Sequence, residues 1–287
     1  MTRFSLIVAT MGRVAELREL FDSILAQQWP ALDVILVDQN PDDRLAPVVA
    51  DFSQRLPMRH IRTPRPHANA ARNLGLLAAN GDVVAFPDDD CTLPAGTLAR
   101  VAAAFSAHGL QVLTGPAASP EGGLGSGRWH GQGGPITLAS VWTSVIEFNL
   151  WLRRDAALGL GGFDENLGPG SPFGSAEGND MVCRAMAAGM ATLYDPGLLV
   201  VHPDKRLSDV AAGRAYRYGM GLGFVLRRHG VPLSVWSAFL YRPLAGAGLS
   251  LLRGRGHHAA YYWQSFRGRL TGFNARQTQP PLPLLPP

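Results

Sequence analysis

Three aspartates in a row, Asp88-Asp89-Asp90, close the apolar run Val83-Val84-Ala85-Phe86. Read as Asp-x-Asp, the triplet sets two carboxylates on one turn just past a buried strand. Adjacent like charges repel, and a divalent cation removes that conflict. Hard Mg2+ or Mn2+ takes oxygen ligands and leaves open positions for phosphate oxygens. The carboxyl end of a strand is also where open α/β sheets bind their ligands. The competing reading is a solvated acidic loop that caps the helix after Pro94. Cys91, next in line, reads as a small buried hydrophobe rather than a nucleophile.

Such a turn needs a sheet to hold it, and the first half of the chain supplies the pattern for one. Phe4 to Ala9, Val34 to Val37, Met58 to Ile61 and Val83 to Phe86 are short apolar runs of strand length. Between them, Val14 to Gln28 carries a helical stripe of Leu17, Leu20, Phe21, Ile24 and Leu25, and Arg44 to Phe52 and Ala68 to Ala79 also fit helices. Leu98 to Phe105 lies in a fourth helix. This β-α-β-α order predicts an α/β domain with a mostly parallel sheet and helices on both faces. From Gly115 to Gly134 the chain turns to Gly, Pro and Ser around Arg128-Trp129-His130, a loop long enough to serve as an active-site flap. Beyond it come the apolar stretch Ile146 to Leu152, a Gly-rich loop from Gly168 to Ser175, a helix over Asn179 to Ala188, strands at Ala191 to Tyr194 and Leu198 to Val201, and a helix running to about His229.

At 287 residues, with 46% hydrophobic and 17% charged, the chain is globular and not disordered. Its length suits one large domain or a domain with an appendage. Two cysteines make neither a disulfide framework nor a zinc cluster, so a reducing cytosol is the expectation. The opening Met1-Thr2-Arg3 and Phe4 to Ala9 are too short for a signal-peptide core and read as a first strand. Net charge is +4, unevenly placed: beyond Asp209 there is no acidic residue, while ten arginines lie between Arg214 and Arg276. One-sided segments of this kind meet anionic partners such as a membrane surface, nucleic acid or a phosphorylated substrate. Lys205 is the only lysine, so arginine is favoured throughout, but that preference does not remove Asp and Glu.

Seven segments, in order and at these strand ends, resemble family 2 glycosyltransferases of the GT-A fold. They are SLIVAT from Ser5, ILVDQN from Ile35, ARNLG from Ala71, GDVVAFPDDDC from Gly81, GGFDE from Gly161, AEGNDMVCRAMAAG from Ala176 and VVHP from Val200. The resemblance covers roughly positions 3 to 229. It implies a Rossmann-like GT-A domain that moves a sugar, with inversion, from a nucleotide-sugar donor to an acceptor hydroxyl. It implies donor contacts from Thr10, from Asp38 to the base or ribose, from Arg72 near the base and diphosphate, and from Asp88 to the ribose. Asp90 would hold the Mn2+ or Mg2+ that bridges the phosphates, Asp89 would point away, and His202 would join as the late strand-end histidine. A neutral imidazole suits Mn2+ better than Mg2+. Many relatives carry another acid where this chain has Cys91, which removes one potential ligand.

The resemblance also places the catalytic base at the start of the helix carrying Arg184. Relatives often show Glu-Asp and then a further acid, whereas this chain reads Glu177-Gly178-Asn179-Asp180, with Gly178 in place of the usual Asp. Glu177 is the favoured base and Asp180, one turn on, the residue that positions the acceptor; the two roles are open to exchange. Both acids also suit a helix N-terminus for purely electrostatic reasons. A sugar nucleotidyltransferase would share sheet, cation and nucleotide, but Ala9-Thr10-Met11-Gly12-Arg13 holds a single glycine and no Walker or paired-glycine loop follows a strand. A non-catalytic nucleotide-sugar-binding relative finds its only support in Gly178.

A domain over 1–229 and a basic C-terminal segment over 230–287 are expected. Val231 to Leu252 is nearly long enough to span a bilayer. Arg242 near its middle and Pro243, which should break the helix, favour a helical hairpin or a membrane-interfacial segment over a span. Arg227-Arg228 before it, Arg253, Arg255, Arg267 and Arg269 after it, and Tyr261, Tyr262 and Trp263 suit an anionic headgroup layer. The expected setting is the inner face of the plasma membrane, in cell-surface polysaccharide or glycolipid synthesis, with a carbohydrate or lipid-linked acceptor. Packing of the segment on the domain is the alternative. The tail is too apolar to lead with nucleic-acid binding.

Overall fold

The computed structural model describes residues 1–125, 127–204 and 209–284; the last three residues of the C-terminal segment and Lys205 lie outside them. In chain order the first half forms β1 (Phe4–Thr10), α1 (Ala15–Leu25), β2 (Leu32–Asp38), α2 (Ala46–Phe52), β3 (Met58–Arg62), α3 (Ala68–Ala78), β4 (Val83–Ala85) and α4 (Thr97–His108). All eight elements read from periodicity are there. α2 begins at Ala46 and not at Arg44, because Asp42 accepts from both the backbone and the guanidinium of Arg44 and holds a turn, and Pro47 then suits the first helical turn.

The second half adds β5 (Val112–Thr114), β6 (Ala117–Ala118), β7 (Gly134–Pro135), β8 (Leu150–Arg153), α5 (Arg154–Gly159), α6 (Glu177–Ala187), β9 (Thr192–Tyr194), β10 (Val200–Val201), α7 (Asp209–Arg228), α8 (Leu233–Leu252) and α9 (Gly256–Asn274). The main sheet runs β3-β2-β1-β4-β8-β5-β9-β7, and β10 pairs with β6 in a small second sheet. Within the main sheet only β8 and β7 run against the rest, so the mostly parallel sheet expected from the sequence is present. β8 inserts between β4 and β5, and Trp151 lies opposite both Ala85 and Leu113.

Both faces of the sheet are covered, which is why its strands are almost continuously apolar. Phe4, Leu6 and Val8 face one layer with α1, α2 and α4, while Ile7, Ile35 and Val37 face the other with α3, α5 and α6. α3 lies close on β1 because residue 75 is glycine: a Cβ there would sit 2.3 Å from Ile7 Cγ2. From β1 the chain steps outward to β3, then returns to β4 on the other side of β1. The crevice at the carboxyl ends of β1 and β4 is therefore a topological switch point.

The glycine-rich stretch 115–134 is anchored instead of standing free as a flap. β6 pairs with β10, Trp129 packs on the core, and His130 N–H donates to Thr143 O at 2.8 Å.

The expected boundary near 229 falls in the link between α7 and α8. Beyond it, α9 packs along α7 at backbone distance through facing glycines. A Cβ on Gly223 would meet Arg269 O at 2.1 Å, and one on Gly272 would meet Met220 O at 1.9 Å. Pro243 does not break α8. Proline removes the bond to the carbonyl four residues back, that of Phe239, and the Arg269 guanidinium on α9 donates to this oxygen in its place. Among the described residues no helix is long and apolar enough to cross a membrane.

Candidate active site

A cleft of about 510 Å3 opens at the switch point. β1 and β4 deliver their ends to it, α3 contributes Arg72, and β10 contributes His202. His202 reaches the aspartates because Val201 bridges Thr92 just past the acidic turn, with Val201 N–H donating to Thr92 O at 3.0 Å. The His202 ring stacks on Phe148 at 4.6 Å.

Three side-chain atoms able to bind a metal converge there. His202 Nδ1 lies 2.7 Å from Pro203 O, and a carbonyl can only accept, so Nδ1 carries a proton and Nε2 is the ring nitrogen turned to the aspartates. Nε2 faces Asp90 Oδ1 at 3.4 Å and Asp88 Oδ2 at 4.0 Å. Asp90 Oδ1 is buried with no hydrogen-bond partner. Buried acceptors are rarely left unpaired, and acceptors facing one another suit a cation. The remaining oxygens are occupied: Arg72 donates to Asp88 Oδ1 at 2.8 Å and Arg13 pairs with Asp90 Oδ2 at 2.7 Å. The ligand atoms of Asp88, Asp90 and His202 all lie within 4.8 Å of one another.

Asp89 stands outside that trio. It is 4% exposed, accepts from Thr10 Oγ1 at 2.7 Å and is paired with Arg13. Burial pushes its carboxyl up, and the Asp88 charge adds to this against Thr10 and Arg13. The Thr10 hydroxyl is thus committed to Asp89. Asp38 is likewise buried, taking bonds from Asn40 N–H at 2.9 Å and Asn40 Nδ2 at 2.7 Å, with His60 Nε2 at 3.1 Å. Both residues shape the cleft wall from behind, and Ala9, Met11 and Gln39 line it. Cys91 is fully buried; burial and the Asp88 and Asp90 charges push its thiol well up, so it stays protonated.

Arg72 is the hub. It is 4% exposed, bonds Asn69 Oδ1 at 3.0 Å, Asp88 at 2.8 Å and Glu177 Oε1 at 3.3 Å, and lies over the Phe163 ring. Burial alone would lower its pKa, but Asp88, Glu177 and Glu147 together raise it. Glu177, at the start of α6, is 2% exposed. Burial, with the Glu147 charge adding to it, pushes its carboxyl up to about 7 against the pull of Arg72.

Asp180 does not join this arrangement. Its side chain is fully buried beneath α6, where it takes Arg184 Nε at 2.8 Å, Arg228 Nη1 at 3.1 Å and His229 Nε2 at 2.9 Å. The bonds from Arg228 and His229 tie Asp180 of α6 to the end of α7, Arg228 also pairs with Asp164, and the fully buried Asp180 carboxylate presents no oxygen to an acceptor. The sequence expectation of an acceptor-positioning Asp180 therefore meets a structural ion network.

Periodicity and motif missed Arg13 in the first strand-helix loop, Glu147 before β8, and Arg214 and Tyr218 of α7 at the cleft mouth. Only the basic residue following the first strand carried a usable local signal. The others come from segments with no motif of their own.

The chain and its sheet have counterparts in known proteins. The model of the family described as Glycosyl transferase family 2 matches residues 5–158. Succinoglycan biosynthesis protein ExoM of Rhizobium meliloti is 29% identical over 235 residues, 76% of this chain and 74% of the relative. Among solved structures, the mannosyltransferase PcManGT from Pyrobaculum calidifontis, in complex with GDP-Man and Mn2+, superposes with a TM-score of 0.64 at 18% identity, over 94% of this chain and 87% of that one. S. aureus TarS 1-349 in complex with UDP-GlcNAc gives 0.62 at 17%, over 92% and 91%. These superpositions establish the GT-A fold, and because the family match runs from β1 through α5, carrying the acidic turn and Arg72, the chain belongs to glycosyl transferase family 2.

Proposed function

We propose that the protein is an inverting, metal-dependent glycosyltransferase that uses a nucleoside-diphosphate sugar. The observation that carries this reading is the trio of ligand atoms on Asp88, Asp90 and His202, one of them the unpartnered Asp90 Oδ1, set beside a buried arginine at the switch-point crevice. Those three residues would hold a divalent cation, which when bound offsets charge on the leaving diphosphate. Arg72 keeps Asp88 oriented and adds positive potential at the same place. Thr10 and Arg13 hold Asp89, and Asp38 holds the turn that presents Gln39 to the nucleotide. The acceptor enters from the side of Glu147 and Glu177, where a second cavity of about 310 Å3 adjoins the cleft. UDP-GlcNAc and GDP-Man, the ligands of the superposed TarS and PcManGT, are the donors to try first.

The measurement is thermal stabilisation by a panel of nucleotide-sugars with MnCl2 or with EDTA. A donor at about a hundred times its Kd should stabilise the fold by about 2.7 kcal/mol with Mn2+ and much less with EDTA. No stabilisation by any member of the panel would overturn the assignment.

We also propose that α8 rests on the anionic inner face of the plasma membrane and that the acceptor is lipid-linked, in cell-surface polysaccharide or glycolipid synthesis. Leu233, Tyr241, Leu244, Leu249, Leu251 and Leu252 are exposed on α8, with Arg242, Arg253 and Arg255 exposed among and after them. Apolar area flanked by arginine is the pattern of an interfacial helix. A chamber of about 440 Å3 between α8 and α9 shares Tyr261, Ser265 and Arg269 with the acceptor-side cavity, so an apolar tail has a route away from the cleft. ExoM, by its name a succinoglycan biosynthesis protein, supports the polysaccharide setting. The full chain should sediment with phosphatidylglycerol vesicles at low salt and be released at high salt. A chain that stays in the supernatant at low salt has no such membrane contact.

A further inference from the structure

Resting on the glycosyltransferase reading above, we infer that Glu147 is the general base of the transfer and that Glu177 is a positioning residue which holds Arg72. The second residue of α6 is Gly178, which has no side chain to offer the site. A Cβ on Gly178 would lie 3.2 Å from Glu147 N, 3.3 Å from its Cα and 3.4 Å from its Cβ. The segment carrying Glu147 thus occupies the space beside Gly178, and a carboxylate reaches this corner from the single turn Glu147–Asn149 instead of from α6.

Placement and availability both single out this residue. Glu147, Pro169 and Tyr218 line the donor cleft and the acceptor-side cavity alike, and of the three only Glu147 carries a carboxylate. Every other acid in the cleft has a cation partner: Asp88 and Glu177 have Arg72, Asp89 and Asp90 have Arg13. Glu147 has no hydrogen-bond or ion-pair partner among the described residues and is half-buried, open to an incoming hydroxyl. Glu177 is 2% exposed and faces Arg72. A base needs a free lone pair within reach of the proton it removes, and Glu147 meets that condition.

In the step itself the acceptor O–H proton passes to the Glu147 carboxylate as the acceptor oxygen bonds to the anomeric carbon. The bond from that carbon to the diphosphate oxygen breaks, and its electron pair leaves with the nucleoside diphosphate. Water serves as a surrogate acceptor in the same geometry.

The experiment uses the full chain with UDP-N-acetylglucosamine and GDP-mannose in MnCl2, and reads nucleoside diphosphate release and donor-induced thermal stabilisation in parallel. Glu147→Gln should lower kcat by about two to four orders of magnitude, the usual weight of a positioned base, while the donor still stabilises the variant as it does the parent. Glu177→Gln keeps an oxygen for Arg72 and should raise the donor KM more than it lowers kcat. Near-parental kcat in Glu147→Gln, or loss of donor stabilisation along with activity, overturns the assignment, as does a kcat loss that resides in Glu177→Gln. Should Glu147→Gln not fold, Glu147→Asp is read the same way: a kcat loss with donor binding kept supports the base, and lost binding refutes it. A parent that neither binds nor cleaves any donor refutes the underlying glycosyltransferase reading, and is told apart by that parental measurement.

Discussion

Asp90→Asn should leave a folded protein whose transfer rate is lower by about two to three orders of magnitude, the weight of several kcal/mol of transition-state charge stabilisation. The substitution is close to isosteric. One side-chain atom can still meet Arg13, which pairs with Asp90 Oδ2 at 2.7 Å in the parent. The other would become an amide N–H beside His202 Nε2, now 3.4 Å from Asp90 Oδ1, and would donate to that lone pair. The variant therefore satisfies the buried orphan oxygen internally and loses both the charge and the ligand atom that suit a cation. Its melting temperature without ligand should equal or exceed the parent's, while the Mn2+-dependent stabilisation by donor should disappear. Near-parental turnover in saturating Mn2+ would refute the role, and so would parental activity that survives EDTA.

Asp180→Asn should do the opposite, costing stability in place of chemistry. Asp180 is fully buried and neutralises Arg184 and Arg228 while accepting from His229. Removing one partner from a buried ion network leaves the others uncompensated, at a cost of about 3–5 kcal/mol. Burial alone would raise the Asp180 carboxyl, but His229, Arg184 and Arg228 overcome it and hold the group well below the usual carboxylate range. The sign follows from that direction. A depressed folded pKa contributes stability above the unfolded value of about 3.9, and the contribution is lost as pH falls toward the folded value. The parent should thus lose this increment in acid, and Asp180→Asn should lack it at neutral pH as well. Denaturant melts at neutral pH and in acid check both statements. An unchanged unfolding free energy with a large fall in kcat would return Asp180 to the acceptor's side.

Much of the framework was legible before any coordinates. β1 to β4 and their helices could be read because strands buried on both faces are apolar runs, and helices between them show a clean stripe such as Leu17, Leu20, Phe21 and Ile24. The second half resisted. β8 reads simply as a buried run, and its antiparallel seat between β4 and β5 depends on partners distant in sequence. β6, β7 and β10 have two residues each, too few for a period to show.

The candidate site divides the same way. Asp88 and Asp90 stood out as carboxylates past a strand end, Arg72 and His202 through the family resemblance, and the tertiary structure brings them together. Pairing decides the rest. Asp89 and Asp180 look as available as their neighbours in the sequence, yet Arg13 and Thr10 take the one, and Arg184, Arg228 and His229 take the other. Likewise a proline in α8 predicts a break until Arg269, remote in sequence, meets the orphaned carbonyl of Phe239.

Composition and local pattern by themselves determined the α/β class, the strand-end position of the acidic turn and the basic, apolar character of the C-terminal segment. These follow from short-range chemistry: burial sets apolar periodicity, and strand ends present their side chains together. Only the tertiary structure decided which carboxylates are spent on arginines and which remain free, and that Glu147 stands beside Gly178. A charge's availability depends on the partner that reaches it through space, and that partner is set by packing between elements far apart in the chain.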